Sequence, residues 1–343
     1  MAKTIYDVAK EAGVAVSTVS RAMNKSGYVS DKTRKKIEAA MRGFQPNASA
    51  QRLVTKVSKT IAVVSSLSPR YFFIESDYSK TLAGIVKYSN SSDYRIMLDI
   101  GGKGFDCINL YKKKIIDAII IIDAGHENHL LHEIMSTKIP FVLLGSPSRE
   151  IQELTWVDVD STAGVFDAVI YLISLGHRNI AMINGSMHRA PSINKYAGFK
   201  KAMDTAGIKI RPENIINCEE IDTVSGYEAA KKLLSRDDRP SAIFTYADMV
   251  AMGVYKAAKE IGLKIPQDVS VVGFDNSDKS QICEPDLTTV AQPIYDKGYM
   301  VSRYLIEMLQ TINSSEIYRH HHILLPCSLI IRNSCCPPSG LLL

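Results

Sequence analysis

The 343 residues are 46% hydrophobic, carry 41 Lys and Arg against 36 Asp and Glu, and include 6 cysteines without metal-like pairing. A chain this long buries a large core and favours two or three domains. No apolar run approaches the roughly 20 residues of a membrane span and no signal peptide precedes the first helical segment, so a membrane-spanning or disulfide-built protein is set aside, a cytoplasmic one is expected, and the cysteines read as reduced thiols.

Residues 4 to 23 read as two short helices broken at a glycine. Ile5, Val8, Ala9 and Ala12 share one face of the first, and Gly13 ends it, because glycine takes the left-handed conformation of a sharp turn. The second helix runs from about Val16 to Met23, with Val19, Ala22 and Met23 inward and Ser17, Thr18, Ser20 and Arg21 as a small polar face. Such a face suits a DNA groove, since short hydroxyls let a helix approach base edges and arginine can donate two hydrogen bonds to one guanine. An ordinary amphipathic helical pair with a polar surface stays open from these residues alone. A third helix, capped by Ser30 with Asp31 in its first turn and Ile37, Ala40 and Met41 buried, completes a three-helix head over residues 1–45.

Charge separates this head from the rest of the chain. Residues 1–56 hold 11 basic and 4 acidic residues, a net of +7, while residues 57–343 carry −2. A basic excess confined to one small module fits a polyphosphate partner, because each neutralised phosphate releases counterions; a solvated basic face is the plainer alternative. Residues 46–58 form a hinge, either a short helix that needs DNA or a symmetry mate to be stable, or a flexible linker.

From residue 60 onward, apolar β-rich runs alternate with helical segments: Thr60 to Leu67, Tyr94 to Ile100, Ala118 to Asp123 and Phe141 to Gly145, then Asn179 to Gly185, Ala242 to Asp248 and Val269 to Asp275. Continuous apolar runs imply buried parallel strands. Two such series predict a doubly wound α/β body of two similar lobes, with a ligand cleft beyond the carboxyl ends of the strands. Gly101-Gly102-Lys103-Gly104 fits neither phosphate-loop fingerprint and reads as a surface turn. His320, His321 and His322 are adjacent on a strand and alternate in face, so no metal site is expected from them. No nucleophile-and-base signature is evident, so the chain is not expected to be an enzyme, and no cofactor is called for.

The chain resembles transcription regulators of the lactose repressor family (LacI/GalR). The resemblance rests on Ile5-Tyr6-Asp7-Val8-Ala9 with Ala12-Gly13-Val14, Ser17-Thr18-Val19-Ser20-Arg21, Val29-Ser30 with Thr33-Arg34, and Pro46-Asn47 with Ala50 and Leu53. Further along it rests on Gly176-His177, on Asp248 with Ala251 and Gly253, on Val271 to Asp275, Leu287 to Val290, Leu325-Pro326 and Leu329 to Ser334. It implies an all-α helix-turn-helix head joined to a two-lobed, type I periplasmic-binding-protein-like α/β body. The lobes would be 59–159 plus 292–321 and 160–291 plus 322–334, with a tail at 335–343. It also implies a homodimeric repressor that reads palindromic double-stranded operator DNA and answers to a small effector, a sugar or sugar derivative, in the cleft.

By the same resemblance, Val16, Ser17 and Arg21 read bases, Tyr6, Ser20 and Asn24 contact the DNA backbone, and Leu53 wedges into the minor groove. The effector would draw on Ser66, Arg70, Phe72, Phe73, Asp158, Lys195, Asp275 and Gln292. Phe72 and Phe73 fit a core as readily as a pocket, and Asp248 reads as a helix cap before a ligand contact. Two departures concern the effector: Lys195 stands where relatives usually have arginine, replacing a planar fork with a point charge, and Ala247 stands where an amide or hydroxyl is common. With Arg70 and Arg189, Lys195 raises the alternative of an acidic or phosphorylated sugar. A third departure is the run Ala39 to Pro46, about two residues short, worth roughly 3 Å and 200° if helical. No leucine heptads for tetramerisation come after Ser334.

Three classes of function compete. An effector-controlled regulator needs both basic head and cleft body; a sugar carrier would have the body behind a signal peptide; an α/β enzyme would need a catalytic constellation. The first fits the whole chain.

Overall fold

The structure, a computed structural model, describes residues 4–24, 27–42, 57–65, 69–74, 76–101, 107–122, 129–147, 151, 153–314 and 317–338. The expected wedge Leu53, the hinge up to residue 56, Ser66 and the turn from Gly102 to Gly104 lie outside them.

In the head, α1 (Ile5–Ala12) begins with a reciprocal cap: the Thr4 amide donates to Asp7 Oδ2 at 2.8 Å and the Asp7 amide to Thr4 Oγ1 at 3.3 Å. Gly13, at φ 65°, ends it, and the Val14 amide turns back to the Ala9 carbonyl. After α2 (Val16–Asn24), Ser30 accepts from the Thr33 amide at the start of α3 (Asp31–Ala40). Val8, Ala9, Ala12, Val19, Val29, Ile37 and Ala40 form the head's core.

The body runs in chain order as β1 (Thr60–Ser65), α4 (Pro69–Ile74), α5 (Ser76–Ser91), β2 (Arg95–Ile100), α6 (Cys107–Lys112), β3 (Ala118–Ile122), α7 (His129–Met135), β4 (Phe141–Leu144) and β5 (Trp156–Val159). Next come α8 (Ser161–Ser174), β6 (Ile180–Gly185), α9 (Ala190–Thr205), β7 (Ile215–Cys218), α10 (Thr223–Leu234), β8 (Ala242–Thr245), α11 (Asp248–Ile261), β9 (Ser270–Asp275), α12 (Lys279–Ile282) and β10 (Thr288–Ala291). The chain closes with α13 (Ile294–Asn313), β11 (His322–Leu325) and β12 (Ser328–Ile330). Two six-stranded sheets result, ordered β11-β5-β4-β3-β1-β2 and β12-β10-β9-β8-β6-β7. The first is filled by apolar side chains such as Ile61, Ile120, Val142 and Leu305, the second by Phe199, Phe244, Val271 and Phe274. Their burial in the middle of parallel sheets explains the unbroken apolar runs.

Two expected boundaries move. His322 to Leu325 pair in parallel with Trp156 to Val159, so the last crossing between lobes falls at Pro326 and not before His322; residues 322–325 belong to the first lobe. Cys335 and Cys336 are no free tail: the Cys336 amide donates to Ser270 Oγ at 3.1 Å and its carbonyl lies 3.0 Å from His177 Nε2, whose ring is buried and meets Ser241 through Nδ1 at 2.8 Å. Gly176-His177 therefore anchors the chain's end beneath the second sheet.

Helices pack through glycines where backbones touch. A Cβ on Gly298 of α13 would overlap the Thr81 carbonyl of α5, and one on Gly84 of α5 would overlap the Tyr295 carbonyl. Gly298→Ala is expected to destabilise the body by about 1–3 kcal/mol, read as a lower urea midpoint at unchanged slope.

Candidate functional site

On the head, Ser17 and Arg21, one helical turn apart on α2, are both exposed, and Tyr6 on α1 is 72% exposed. Ser20 is half-buried. Val16 is half-buried too and packs on the head's core, so only part of that side chain faces outward; Asn24 closes α2, its side chain beyond the described atoms. The exposed face therefore presents hydroxyl, guanidinium and phenol groups, the donors a groove and its phosphates require.

In the body, a cavity of about 330 Å³ opens between the two sheets at the carboxyl ends of their strands. Ile122 ends β3, Leu143 and Leu144 end β4, Asp158 and Val159 end β5, and Phe274 and Asp275 end β9; all line it. Such a crevice is where ligands bind in doubly wound folds. From α5 come Asp77, Tyr78 and Thr81, from α9 Lys195, from the β8–α11 turn Tyr246, and from α13 Lys297.

Asp275 sits at φ 117°, a left-handed conformation that turns the chain sharply off the strand. Its Oδ1 accepts from Gln292 Nε2 at 2.5 Å. Burial, and next the charge of Asp77, push its carboxyl well above the usual range, against the pull of Lys195. Lys195 is 4% exposed and donates to the Tyr246 carbonyl at 2.7 Å, its ammonium 3.7 Å from the centres of both the Tyr246 and Phe274 rings. Burial lowers it to about 8, only partly offset by Asp275. Burial opposes ionisation of Asp158 as well, but Lys297 at 2.8 Å, the Val159 amide and the Ser146 amide outweigh it and hold the carboxyl below the usual range. Asp158 is thus a braced ion pair on the cavity wall.

The structure brings Asp158, Lys195, Asp275 and Gln292 into one cavity. It does not bring Phe72 or Phe73: Phe72 is fully buried in the first lobe's core and Phe73 is 59% exposed. Successive helical residues point about 100° apart, and on α4 neither phenylalanine faces the cleft. The aromatic wall is Tyr78, whose ring stacks on Phe72 at 4.8 Å, with Tyr246 and Phe274 opposite. Arg70 lies on α4, with its side chain outside the described atoms. Sequence reasoning misses Tyr78, Asp77, Tyr246 and Lys297; the only local signal is that Tyr246 and Phe274 directly follow or end strands. Asp248 is neither cap nor ligand. It is 1% exposed and accepts from the Ser277 amide at 2.7 Å, Ser277 Oγ at 3.0 Å and Thr289 Oγ1 at 2.6 Å, tying the loop after Asp275 to β10. Arg332 fastens the same loop through Asn276 Oδ1 at 2.6 Å and the Leu287 carbonyl at 2.7 Å. Among the described residues, no helix is long and apolar enough to cross a membrane and no cluster of three metal-binding side chains occurs. The histidine run is used in packing: His322 stacks on Trp156 at 5.1 Å and His320 Nδ1 lies 3.3 Å from Thr155 Oγ1.

A helix-turn-helix head joined to a two-lobed ligand-binding body defines a ligand-responsive DNA-binding regulator. Residues 4–47 match the family described as bacterial regulatory proteins, lacI family, and residues 169–335 match the periplasmic binding protein-like domain. The chain is 35% identical to the HTH-type transcriptional regulator DegA of Bacillus subtilis (strain 168) over 98% of this chain and 99% of that one. It is 33% identical to catabolite control protein A of Priestia megaterium over 93% and 97%. The lac repressor dimer bound to operator and the anti-inducer ONPF superposes with a TM-score of 0.73 at 26% identity, covering 97% and 99%. The transcriptional regulator CelR in complex with cellobiose superposes at 0.74 and 26%, covering 96% and 99%. The chain belongs to the LacI family of DNA-binding transcription regulators, whose members are not enzymes.

The buried lysine yields a pH test. Lys195 titrates at about 8 in the folded chain and near 10.5 when unfolded, so between those values the unfolded state binds more protons and this residue makes stability rise with pH. Wild type should gain on Lys195→Met as pH rises from 8 to about 10, measured by paired urea titrations; a constant difference would contradict the assignment.

Proposed function

We propose that this regulator is a cytoplasmic repressor that binds a palindromic operator as a homodimer and releases or grips it according to a neutral sugar or sugar derivative in the cleft. The observation that carries the effector class is the pairing of Asp275 with Gln292 at 2.5 Å inside a cavity walled by Tyr78, Tyr246 and Phe274. A carboxyl group and an amide can take paired hydroxyls while an aromatic face covers the apolar face of a ring. Of the three lysines on the cavity wall, Lys195 and Lys297 already donate within the protein, to Tyr246 and Asp158, and Lys279 lies with its Nζ 3.1 Å from Met249 Sδ. That internal pairing favours a neutral polyol over the phosphorylated sugar that Arg70, Arg189 and Lys195 would suit. Neighbours solved with cellobiose and with ribose support the same class.

For DNA, Arg21, Ser17 and the outer part of Val16 read bases while Tyr6, Ser20 and Asn24 hold phosphates, and Leu53 wedges at the operator centre. The effector acts by changing how the lobes close, which alters the spacing of the two hinge segments of the dimer. By reciprocity, operator binding changes effector affinity by the same factor.

Arg21→Ala should cost about 1–3 kcal/mol on the operator and much less on random duplex, measured by fluorescence anisotropy; equal loss on both would remove Arg21 from base reading. A panel of neutral sugars and sugar phosphates, followed through Trp156 fluorescence, should perturb wild type and not Asp275→Asn, with the neutral members acting. Response to phosphorylated members alone would overturn the neutral-ligand reading.

A further inference from the structure

A basic run with no part in the head or the cleft is Lys112-Lys113-Lys114, which ends α6 and leads toward β3. All three side chains are exposed, as is Lys59. These lysines sit where the chain arriving from the hinge is fastened. The Ser58 amide donates to Asp117 Oδ1 at 2.8 Å, the Thr60 amide to Oδ2 at 3.4 Å, and the Asp117 amide to the Thr60 carbonyl at 2.8 Å. Asp117, the carboxylate three residues beyond Lys114, is thereby engaged by backbone amides on both oxygens.

Two of the lysines also occupy positions that lysine fits poorly. Lys59 has φ 53° and Lys114 φ 57°. At Lys114 the α6 helix ends as helices usually do at glycine, with the Lys114 amide on the Tyr111 carbonyl at 2.9 Å and the Ile115 amide on Leu110 at 2.9 Å. Glycine would relieve the left-handed backbone there, and a side chain held against that preference points to use. The plainer account is a cationic end to a helix, favourable to its dipole. It covers the run on α6 but not Lys59, which lies just before β1 on the other side of the junction.

We propose that Lys59, Lys112, Lys113 and Lys114 form a second DNA contact, a phosphate-binding rim at the hinge junction that engages the duplex backbone beyond the bases read by α2. The inference rests on the family's DNA binding and adds a contact outside the three-helix head. Its partner is the sugar-phosphate backbone, so it contributes affinity and salt dependence without sequence preference.

The test is fluorescence anisotropy of the full chain on a labelled random duplex of about 40 base pairs across a salt series. In the Lys112→Gln/Lys113→Gln/Lys114→Gln variant, the slope of log affinity against log salt should fall by about two to three, roughly 0.9 per lost phosphate contact, with the far-ultraviolet circular dichroism unchanged. Wild-type slope in the folded variant overturns the proposal. Lys114→Gly guards against a folding artefact, since it should raise the melting temperature while lowering the slope by about one; higher stability with an unchanged slope leaves only the helix-capping account. If wild type attaches to no duplex, the DNA-binding reading falls as well. If it attaches with a slope the triple variant shares, only the rim falls.

Discussion

Three crossings of the chain between two parallel sheets constrain everything the body can do. One comes after β5 at Asp160, one after β10 at Gln292 and Pro293, and one passes Pro326 between β11 and β12. Three connections oppose separation of the lobes more than rotation about them, so a ligand held between them would act on an angle. Val159, Ser161, Gln292 and Ile294, beside the first two crossings, also line the cavity. Cavity wall and connectors therefore share residues: Gln292 both holds Asp275 and belongs to a connector.

The polar groups in that cavity are costly to bury, and each is answered by a named partner. Asp158 has Lys297 and two amides, Lys195 has the Tyr246 carbonyl and two ring faces, and Asp275 has Gln292. Partnering of this kind fixes geometry more than it adds stability. The loop that bears Asp275 is itself tied by Asp248 and by Arg332 from the far end of the chain. A conformation with two successive positive-φ residues, Asp275 and Asn276, persists because those ties over-determine it.

Much of this is legible in the residues, and the failures have physical causes. The run ending at Asp275 and the apolar stretches before it announce buried parallel strands, whose ends must face a crevice; Asp275 and Gln292 themselves are assigned by the family resemblance, and the place of Asp275 at the end of β9 fits that logic. The phase of α4 does not, because Phe72 and Phe73 are neighbours and a helix turns one inward for reasons set by the core. Lys297 and Asp158 are 139 positions apart, and no local spacing reports such a pair. Between His322 and Ile331 only Pro326, unable to continue a strand ladder, marks where the chain changes sheets. Asp248 shows the opposite error, since a residue placed like a cap in sequence serves as a tie between β10 and the loop after β9.

One interaction spans the cleft at its rim: Lys80 on α5 meets Asp278 at 3.2 Å, with both side chains substantially exposed. A pair in that setting contributes little energy and is weakened by dissolved ions. A bridge so weak leaves the separation of the two lobes to be set elsewhere, by the three connectors and by what fills the cavity between them.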